Sequence, residues 1–474
     1  MSHSRLQRQM PFVQKSVHFG AVSEQIETQQ HAKRGYLGNL NERMTEALNQ
    51  CRATLEEHME TEPEFARAVR GAGLRVSDFD ILRFLRAREF NVPQAYELLV
   101  GALEHRVHHG SAAGTSPPDG FEYTISPSML QHVSCGDRFV RCEQFGSMIS
   151  GRIPTLFDVE SYPRVNHFRQ ELTFALMRLH VERTGKLTEK LHYVGNFANM
   201  IFGGARRNLW LPKYSAQEDE KQYPEIAGHL AVIHTPSLFA GLWKIMSPLI
   251  PASVKSNLSI TSGDGASELE ELFSLQSLPA MVGGHATDEA AIEMLDEVRR
   301  TVMPLLPQPK AFPTDEDFMQ VRIPAGAKAQ VLHLDIPAGQ VGRIIICINT
   351  KDVKVSVHTS RDDTNEGTTL ETASVFAFRN ATRVPGSDVS CTLDTSNMLL
   401  REERRITPAR SSLCVFRNTT TDAVGVENNV RAGTVKSGVL RAVLTIDNSY
   451  SRWTAKDVLV YTEVHELAHL DGLK

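Results

Sequence analysis

Two groups of residues in this sequence have types and spacings that could do chemistry. The first is His465-Glu466-Leu467-Ala468-His469, an H-E-x-x-H run. On a helix its histidines would share a face and could ligate zinc, with Glu466 as the general base of a metallopeptidase. A third ligand would have to come from elsewhere, only Leu470 to Lys474 follow, and the run adjoins an expected last strand rather than a helix in a cleft. A water-excluded site is hard to build there. The expectation is therefore a protein that is no enzyme and needs no cofactor, with the zinc metallopeptidase as a remote alternative. The second group, Arg83, Arg86 and Arg88, clusters within two turns and could bind a phosphate; the commoner arrangement pairs such arginines with Asp78, Asp80 or Glu89 on a solvated helix.

The stretch from Tyr223 to Gly284 has a different character. Leu230 to Ile233 is apolar on both faces, as a central strand requires. Thr235-Pro236 reads as a helix start, cap then first-turn proline. In the helix, Leu238, Leu242, Ile245 and Leu249 form one row, with Phe239, Trp243, Met246 and Ile250 in the row beside it. Two adjacent apolar rows make a face wider than a surface helix shows. Pro248 must end or kink that helix near Ser247, which suits a hinged lid. Leu258 to Ser262 alternates apolar and hydroxyl side chains, as a cavity strand with polar anchoring points would. The stretch therefore reads as an apolar container rather than a catalytic site.

Around it, the period is helical from Glu42 to about His109. Ser77 and Asp80 have capping-box spacing, Pro93 lies in the first turn of a helix after Asn91, and Ala95, Leu98, Leu99, Ala102 and Leu103 form one buried stripe. Phe139 to Cys142 and Leu191 to Asn196 read as strands and Glu171 to Arg183 as a helix, an alternation that favours a mainly parallel sheet covered by helices. Beyond a helix over Glu289 to Val302 and prolines 304, 307, 309 and 313, the period becomes two. Leu332 to Ile336, Val353 to Val357, Leu413 to Phe416, Val439 to Ile446 and Val458 to Val464 read as short strands of a sandwich, with Arg379 to Arg410 as a flexible polar insertion.

At 474 residues the chain has room for about three domains. Hydrophobic residues make up 41% and the net charge is -5, so no basic stripe for nucleic acid is on offer. No apolar run is long enough to span a bilayer, so any membrane contact is expected to be peripheral. Six cysteines without a C-x-x-C pair fit reduced cytoplasmic thiols.

The order of these elements resembles the CRAL-TRIO lipid-binding and lipid-transfer family. The matching residues are Asp80 to Val92, Tyr223-Pro224-Glu225, His234-Thr235-Pro236, Trp243, Pro248, Leu278-Pro279 and Gly283-Gly284. Leu444 to Ser451 resembles the last-strand signature of GOLD domains. The resemblance implies an α/β domain whose sheet floors a lipid pocket closed by a gate helix over about Ser237 to Pro251. A small helical bundle precedes it and an all-β GOLD-like sandwich follows it as an adaptor. Expected boundaries are a disordered tail at 1–41, bundle 42–110, lipid domain 111–285, helix and linker 286–318, sandwich 319–466 and tail 467–474.

Candidate lipid-lining residues are Leu191, Tyr193, Ile233, Leu258 and Ile260 on the strands, and Leu238, Leu242, Ile245, Met246 and Leu249 on the gate. Glu225 matches the acidic residue that fixes a phosphoinositide head group in the family. Val254 and Asn257 stand where the family's threonine and lysine would be, with Lys255 nearby, and the family's Asp-x-x-Gly reads Asn196 to Asn199 here. A buried phosphate wants a fixed charged donor, so phosphatidylinositol is not assigned. The expected partners are a phospholipid or isoprenoid-like lipid, a membrane surface and a protein bound through the sandwich. The expected activity is lipid exchange between membranes by a cytoplasmic protein, the alternative being a lipid-responsive trafficking adaptor without transfer.

Overall fold

The computed structural model describes residues 34–71, 74, 76–110, 115–157, 161–237, 239–249, 255, 257–337, 340–348, 353–361, 402–406, 411–417, 440–449 and 455–466. They fall into two compact units, one of residues 1–117, 121–151 and 163–311, the other of 118–120, 152–162 and 312–474.

In the first unit, helices α1 (Glu42–Thr61), α2 (Pro63–Gly71), α3 (Asp78–Ala87) and α4 (Val92–His109) form the amino-terminal bundle. Its boundaries follow from local chemistry. The Asn41 and Asn91 side chains accept from the amides of Met44 and Gln94, and Ser77 and Asp80 form the reciprocal capping box. Cys51, Leu82, Leu85, Ala95, Leu99, Ala102 and Leu103 fill the bundle's core, and Leu37 and Leu40 pack against it. Residues 34–41 thus belong to packed structure, whereas the rest of the expected tail lies outside the described residues.

Next come a short helix α5 (Phe121–Thr124), strands β1 (Leu130–Cys135) and β2 (Arg138–Glu143), helices α6 (Phe145–Ser150) and α7 (Tyr162–Thr184), and strand β3 (Leu191–Asn196). Helices α8 (Phe202–Asn208) and α9 (Trp210–Gln222), strand β4 (Ala227–Ile233), helix α10 (Phe239–Met246), strand β5 (Leu258–Ile260) and helices α11 (Ala266–Phe273) and α12 (Glu289–Thr301) complete the unit. The sheet runs in chain order, β1 to β5; β1 pairs antiparallel with β2, and the remaining pairs are parallel.

Several local expectations change. Thr235 does not cap a helix: its hydroxyl donates to the Thr261 carbonyl at 2.9 Å, tying the end of β4 to the end of β5, and α10 begins only at Phe239. Pro248 acts as expected, since α-helical geometry stops at Met246 and tightens into a 3-10 turn over Ser247–Leu249. The arginines of α3 are not a solvated set. Arg83 keeps Asp80 at 3.6 Å, but Arg86 pairs with Glu189 at 2.8 Å, Arg88 bonds the carbonyl of Ala87, and Asp78 belongs to Arg52.

The second unit contains two four-stranded antiparallel sheets. Its strands are β6 (Met319–Ile323), β7 (Lys328–Ile336), β8 (Gln340–Ile348), β9 (Val353–Arg361), β10 (Glu402–Ile406), β11 (Ser411–Arg417), β12 (Leu440–Asp447) and β13 (Lys456–Glu466). The sheets run in the orders β10-β9-β12-β7 and β11-β8-β13-β6. Ile336, Leu444 and Ile446 from one sheet and Ile344, Ile346, Val458 and Val460 from the other share one buried core. The buried amide of Asn448 donates to the carbonyls of Ile323 and Pro324, which holds the end of β12 against the β6–β7 turn.

Residues 402–406 of the expected flexible insertion form a strand on β9; the remainder lies outside the described residues. His465 and Glu466 are the last residues of β13, paired with Val341 and Gln340. Adjacent strand residues point to opposite faces, so the helical geometry a zincin needs is absent at this pair. Leu467 to His469 lie outside the described residues. Among the described residues no group of three metal-ligating side chains is assembled.

Candidate functional site

The two faces of the first sheet differ in kind. One is ordinary core: Val140, Cys142, Val194, Ala231 and Ile233 pack against Leu269 and Phe273 of α11 and against Leu278 and Val282. Ile233, expected to line a pocket, therefore belongs to this face.

The other face is read from the register. In one row across five strands, His132 lies beside Arg141, Arg141 beside Tyr193, Tyr193 beside Leu230 and Leu230 beside Leu258. The next row is Leu130, Glu143, Gly195, Val232 and Ile260. Both rows are polar at β2, with the Tyr193 hydroxyl added at β3 in the first, and purely apolar at β4 and β5. Leu230 and Leu258 keep accessible surface, and Ile260 is 39% exposed.

Helix α7 brings a matching polar stripe to the β1–β3 half: Asn166, Arg169, Gln170 and Thr173 follow helical spacing. Arg169 pairs with Glu143 at 2.6 Å, and the Tyr193 hydroxyl donates to the other oxygen of that carboxylate at 3.2 Å. Arg141 donates to His132, Gln170 and Thr173. Gln170 passes the chain on to Asp219 of α9 at 2.6 Å, where Asn166 also donates at 2.9 Å. Burial drives the shifts: Asp219 is pushed up to about 6, the Tyr193 phenol is held well above its ordinary value, and His132 is held well below. Gly195 has a steric role, since a Cβ there would stand 2.6 Å from the Tyr193 ring that lies over it.

At the carboxyl ends of the parallel strands an aromatic chain closes one side. Phe145, just after β2, stacks on Phe197, just after β3, with ring centres 4.7 Å apart. Phe197 meets Phe239 of α10 edge-on at 5.3 Å, and Phe239 stacks on Trp243. Helix α10 is thus held at its first residue by aromatic contact with the strand ends.

Glu225 lies at the other end of β4, in the left-handed region at φ 60°. Lys190 donates to both its carbonyl and its carboxylate, at 2.5 and 3.0 Å, and the Arg86 guanidinium stands 4.0 Å away and over the Tyr36 ring. Arg83, only 5% exposed, donates to the Pro224 carbonyl at 3.2 Å, and Arg106 covers the Tyr223 ring while pairing with Glu171 at 3.1 Å. The Tyr-Pro-Glu segment is therefore a joint between the amino-terminal bundle and the sheet.

Of the sequence candidates, the structure brings Tyr193, Leu258 and Ile260 onto one sheet face with Leu191, and sends Ile233 to the opposite core. Leu238 and Val254 lie outside the described residues, as do the side chains of Leu242, Ile245, Met246 and Leu249. Asn257 and Lys255 are exposed. Asn196, in the place of the family's aspartate, bonds the Met281 carbonyl and its own turn at Ala198.

Two segments of the chain match known family models. The model described as CRAL/TRIO domain matches residues 186–284, and that described as CRAL/TRIO, N-terminal domain matches residues 47–101. The chain carries a CRAL/TRIO domain. Its relatives include a CRAL-TRIO domain-containing protein of Caenorhabditis elegans, F28H7.8, 23% identical over 65% of this chain and 78% of the relative. A second from the same organism, T23G5.2, is 24% identical over 48% of this chain and 33% of the relative. The Saccharomyces cerevisiae CRAL-TRIO domain-containing protein YKL091C is 25% identical over 53% of this chain and 80% of that protein. CRAL/TRIO proteins are known for binding and transferring lipid. The two matched segments contain α3 and the Tyr-Pro-Glu joint, the parts that meet through Arg83 and Pro224.

Proposed function

We propose that the protein binds a hydrophobic lipid over the β3–β5 face of its sheet and exchanges or presents it between membranes, with α10 and the turn after it as the gate. The observation that carries this reading is the apolar half-face, where Leu230, Leu258 and Ile260 keep accessible surface in one patch beside a polar network. In open sheets of this kind ligands bind outside the carboxyl ends of the strands, which is where α10 starts. Binding and release of this type need no catalytic residue and no cofactor.

The second unit serves in this reading as a GOLD-like adaptor for a protein or membrane surface, and the protein works in the cytoplasm with transient membrane contact. No helix among the described residues is long and apolar enough to cross a membrane. The test is transfer of a fluorescent phospholipid between donor and acceptor vesicles at substoichiometric protein. Catalytic transfer that is abolished in Phe239→Asp supports the gate; stoichiometric binding without transfer assigns the protein to lipid-responsive adaptors instead.

A further inference from the structure

Arg141 stands apart from the other cations of the buried network. Arg169 has Glu143 at 2.6 Å, Arg106 has Glu171 at 3.1 Å and Arg86 has Glu189 at 2.8 Å. Among the described residues no carboxylate lies within 4 Å of the Arg141 guanidinium. Its Nε donates to His132 at 3.2 Å, and its Nη2 to the Arg169 carbonyl at 3.5 Å, to Gln170 at 3.4 Å and to Thr173. All of these are neutral acceptors, and Nη1, with two N–H groups, has no hydrogen bond to any described residue. Enclosure and the neighbouring Arg169 hold the Arg141 pKa below the ordinary arginine value, yet the side chain retains accessible surface. An enclosed guanidinium with no carboxylate in contact is costly even with Glu143 and Asp219 nearby, and the group that relieves it is an anionic oxygen.

The register supplies the rest of the ligand. Arg141 stands in the row that continues through Tyr193 to Leu230 and Leu258. At about 4.8 Å per strand, β2 to β5 spans roughly 14 Å, room for a hydrocarbon chain laid across the strands. Polar and apolar ends are thus set out along one sheet face in the order an amphiphile needs.

We infer that Arg141 is the polar anchor of this sheet face, and that it holds a single anionic oxygen group borne on a hydrocarbon chain, polar end toward β2 and tail over Leu230 and Leu258. This rests on the lipid reading above and narrows it from any hydrophobic ligand to a monoanionic amphiphile. One negative charge is what the network can take. Arg141 and Arg169 are already opposed by Glu143 and Asp219, so a second charge on the ligand would stand against two carboxylates with no further cation. Asp219, pushed up to about 6, can offset the first by taking up a proton.

The test uses the full chain and two fluorescent probes, cis-parinaric acid and its methyl ester. Wild type is expected to bind the acid at least tenfold more tightly than the ester. Arg141→Gln should lose that preference while binding the ester within about twofold of wild type, and Arg141→Lys should regain part of it. Displacement of bound acid by oleate assigns the natural group to a carboxylate, and displacement by phosphatidylglycerol to a phosphodiester; both support the anchor. Equal affinity of wild type for acid and ester overturns the anchor and leaves the lipid pocket standing, whereas binding of neither probe overturns both. Should Arg141→Gln fail to fold, carbon-13 titration of carboxyl-labelled oleate on wild type decides the matter. A carboxyl that stays ionised below its ordinary pKa supports the anchor, and one that titrates at its solvent value overturns it.

Discussion

The Arg83 guanidinium donates through Nε to the carbonyl of Pro224, 3.2 Å away, joining the first helical bundle to the segment that starts β4. The side chain is buried, lies over the Phe174 ring at 5.0 Å and has its pKa lowered to about 10 by burial. Arg83→Ala removes a charged hydrogen bond and the packing of a long stem, at an expected cost of about 2–3 kcal/mol. Urea unfolding should show a lower midpoint, and hydrogen exchange should show faster opening of α3. An unchanged midpoint would mean the joint is held elsewhere.

The Arg106–Glu171 pair is buried, and the Tyr223 hydroxyl donates to the same carboxylate oxygen at 3.2 Å. Removing one partner leaves an uncompensated charge, so Arg106→Met should destabilise by about 3–5 kcal/mol. Adding Glu171→Leu to it should recover much of the loss, because the stranded carboxylate goes too. A double variant no more stable than Arg106→Met would contradict this account.

Gly195 is open to a steric test. Gly195→Ala must push Tyr193 off Glu143, since a Cβ there meets the tyrosine ring and hydroxyl. The loss is expected to equal that of Tyr193→Phe, about 2 kcal/mol for a hydrogen bond to a charged group, and the two should not add in the double variant. Full additivity in a double-mutant cycle would show that Gly195 acts independently of the tyrosine.

Four histidine rings, His105, His108 and His109 of α4 and His167 of α7, meet at centroid distances of 4.4–5.6 Å. Burial pushes His105, His109 and His167 each down to about 4 from 6.5. Between those values the unfolded chain binds protons that the folded chain refuses. Stability from this cluster is therefore complete above about pH 6.5 and is lost as pH falls toward 4. Asp219, raised to about 6, works in the opposite sense, with a contribution that is lost as pH rises through 6. Three histidines outweigh one carboxylate. Melting temperature should fall between pH 6.5 and 4, less steeply in His109→Gln; an equal fall in that variant would place the effect outside the cluster.

The parts legible in the sequence are those fixed by local chemistry. The capping box at Ser77 and Asp80, the stripe from Ala95 to Leu103, the strand from Leu191 to Asn196 and the break at Pro248 each follow from a few neighbouring residues, and all four stand in the structure. Thr235 misled because threonine before proline is a cap signal, while β5 offered its hydroxyl a carbonyl from a distant part of the chain. Ile233 misled for a related reason: a strand apolar on both faces does not say which face is core. The polar network was written as Arg141 and Glu143 alternating with Val140 and Cys142, and as Asn166, Arg169, Gln170 and Thr173 at helical spacing. Each stripe alone looks like a solvated surface, and only their apposition across β2 and α7 makes a buried site.

The central claim is that this chain holds a lipid. Native mass spectrometry of the full chain after incubation with mixed phospholipid and fatty-acid vesicles tests it most directly. One lipid per chain, retained through gel filtration and lost in Phe239→Asp, is the predicted result. Protein that emerges at its bare mass from every vesicle composition would contradict the account.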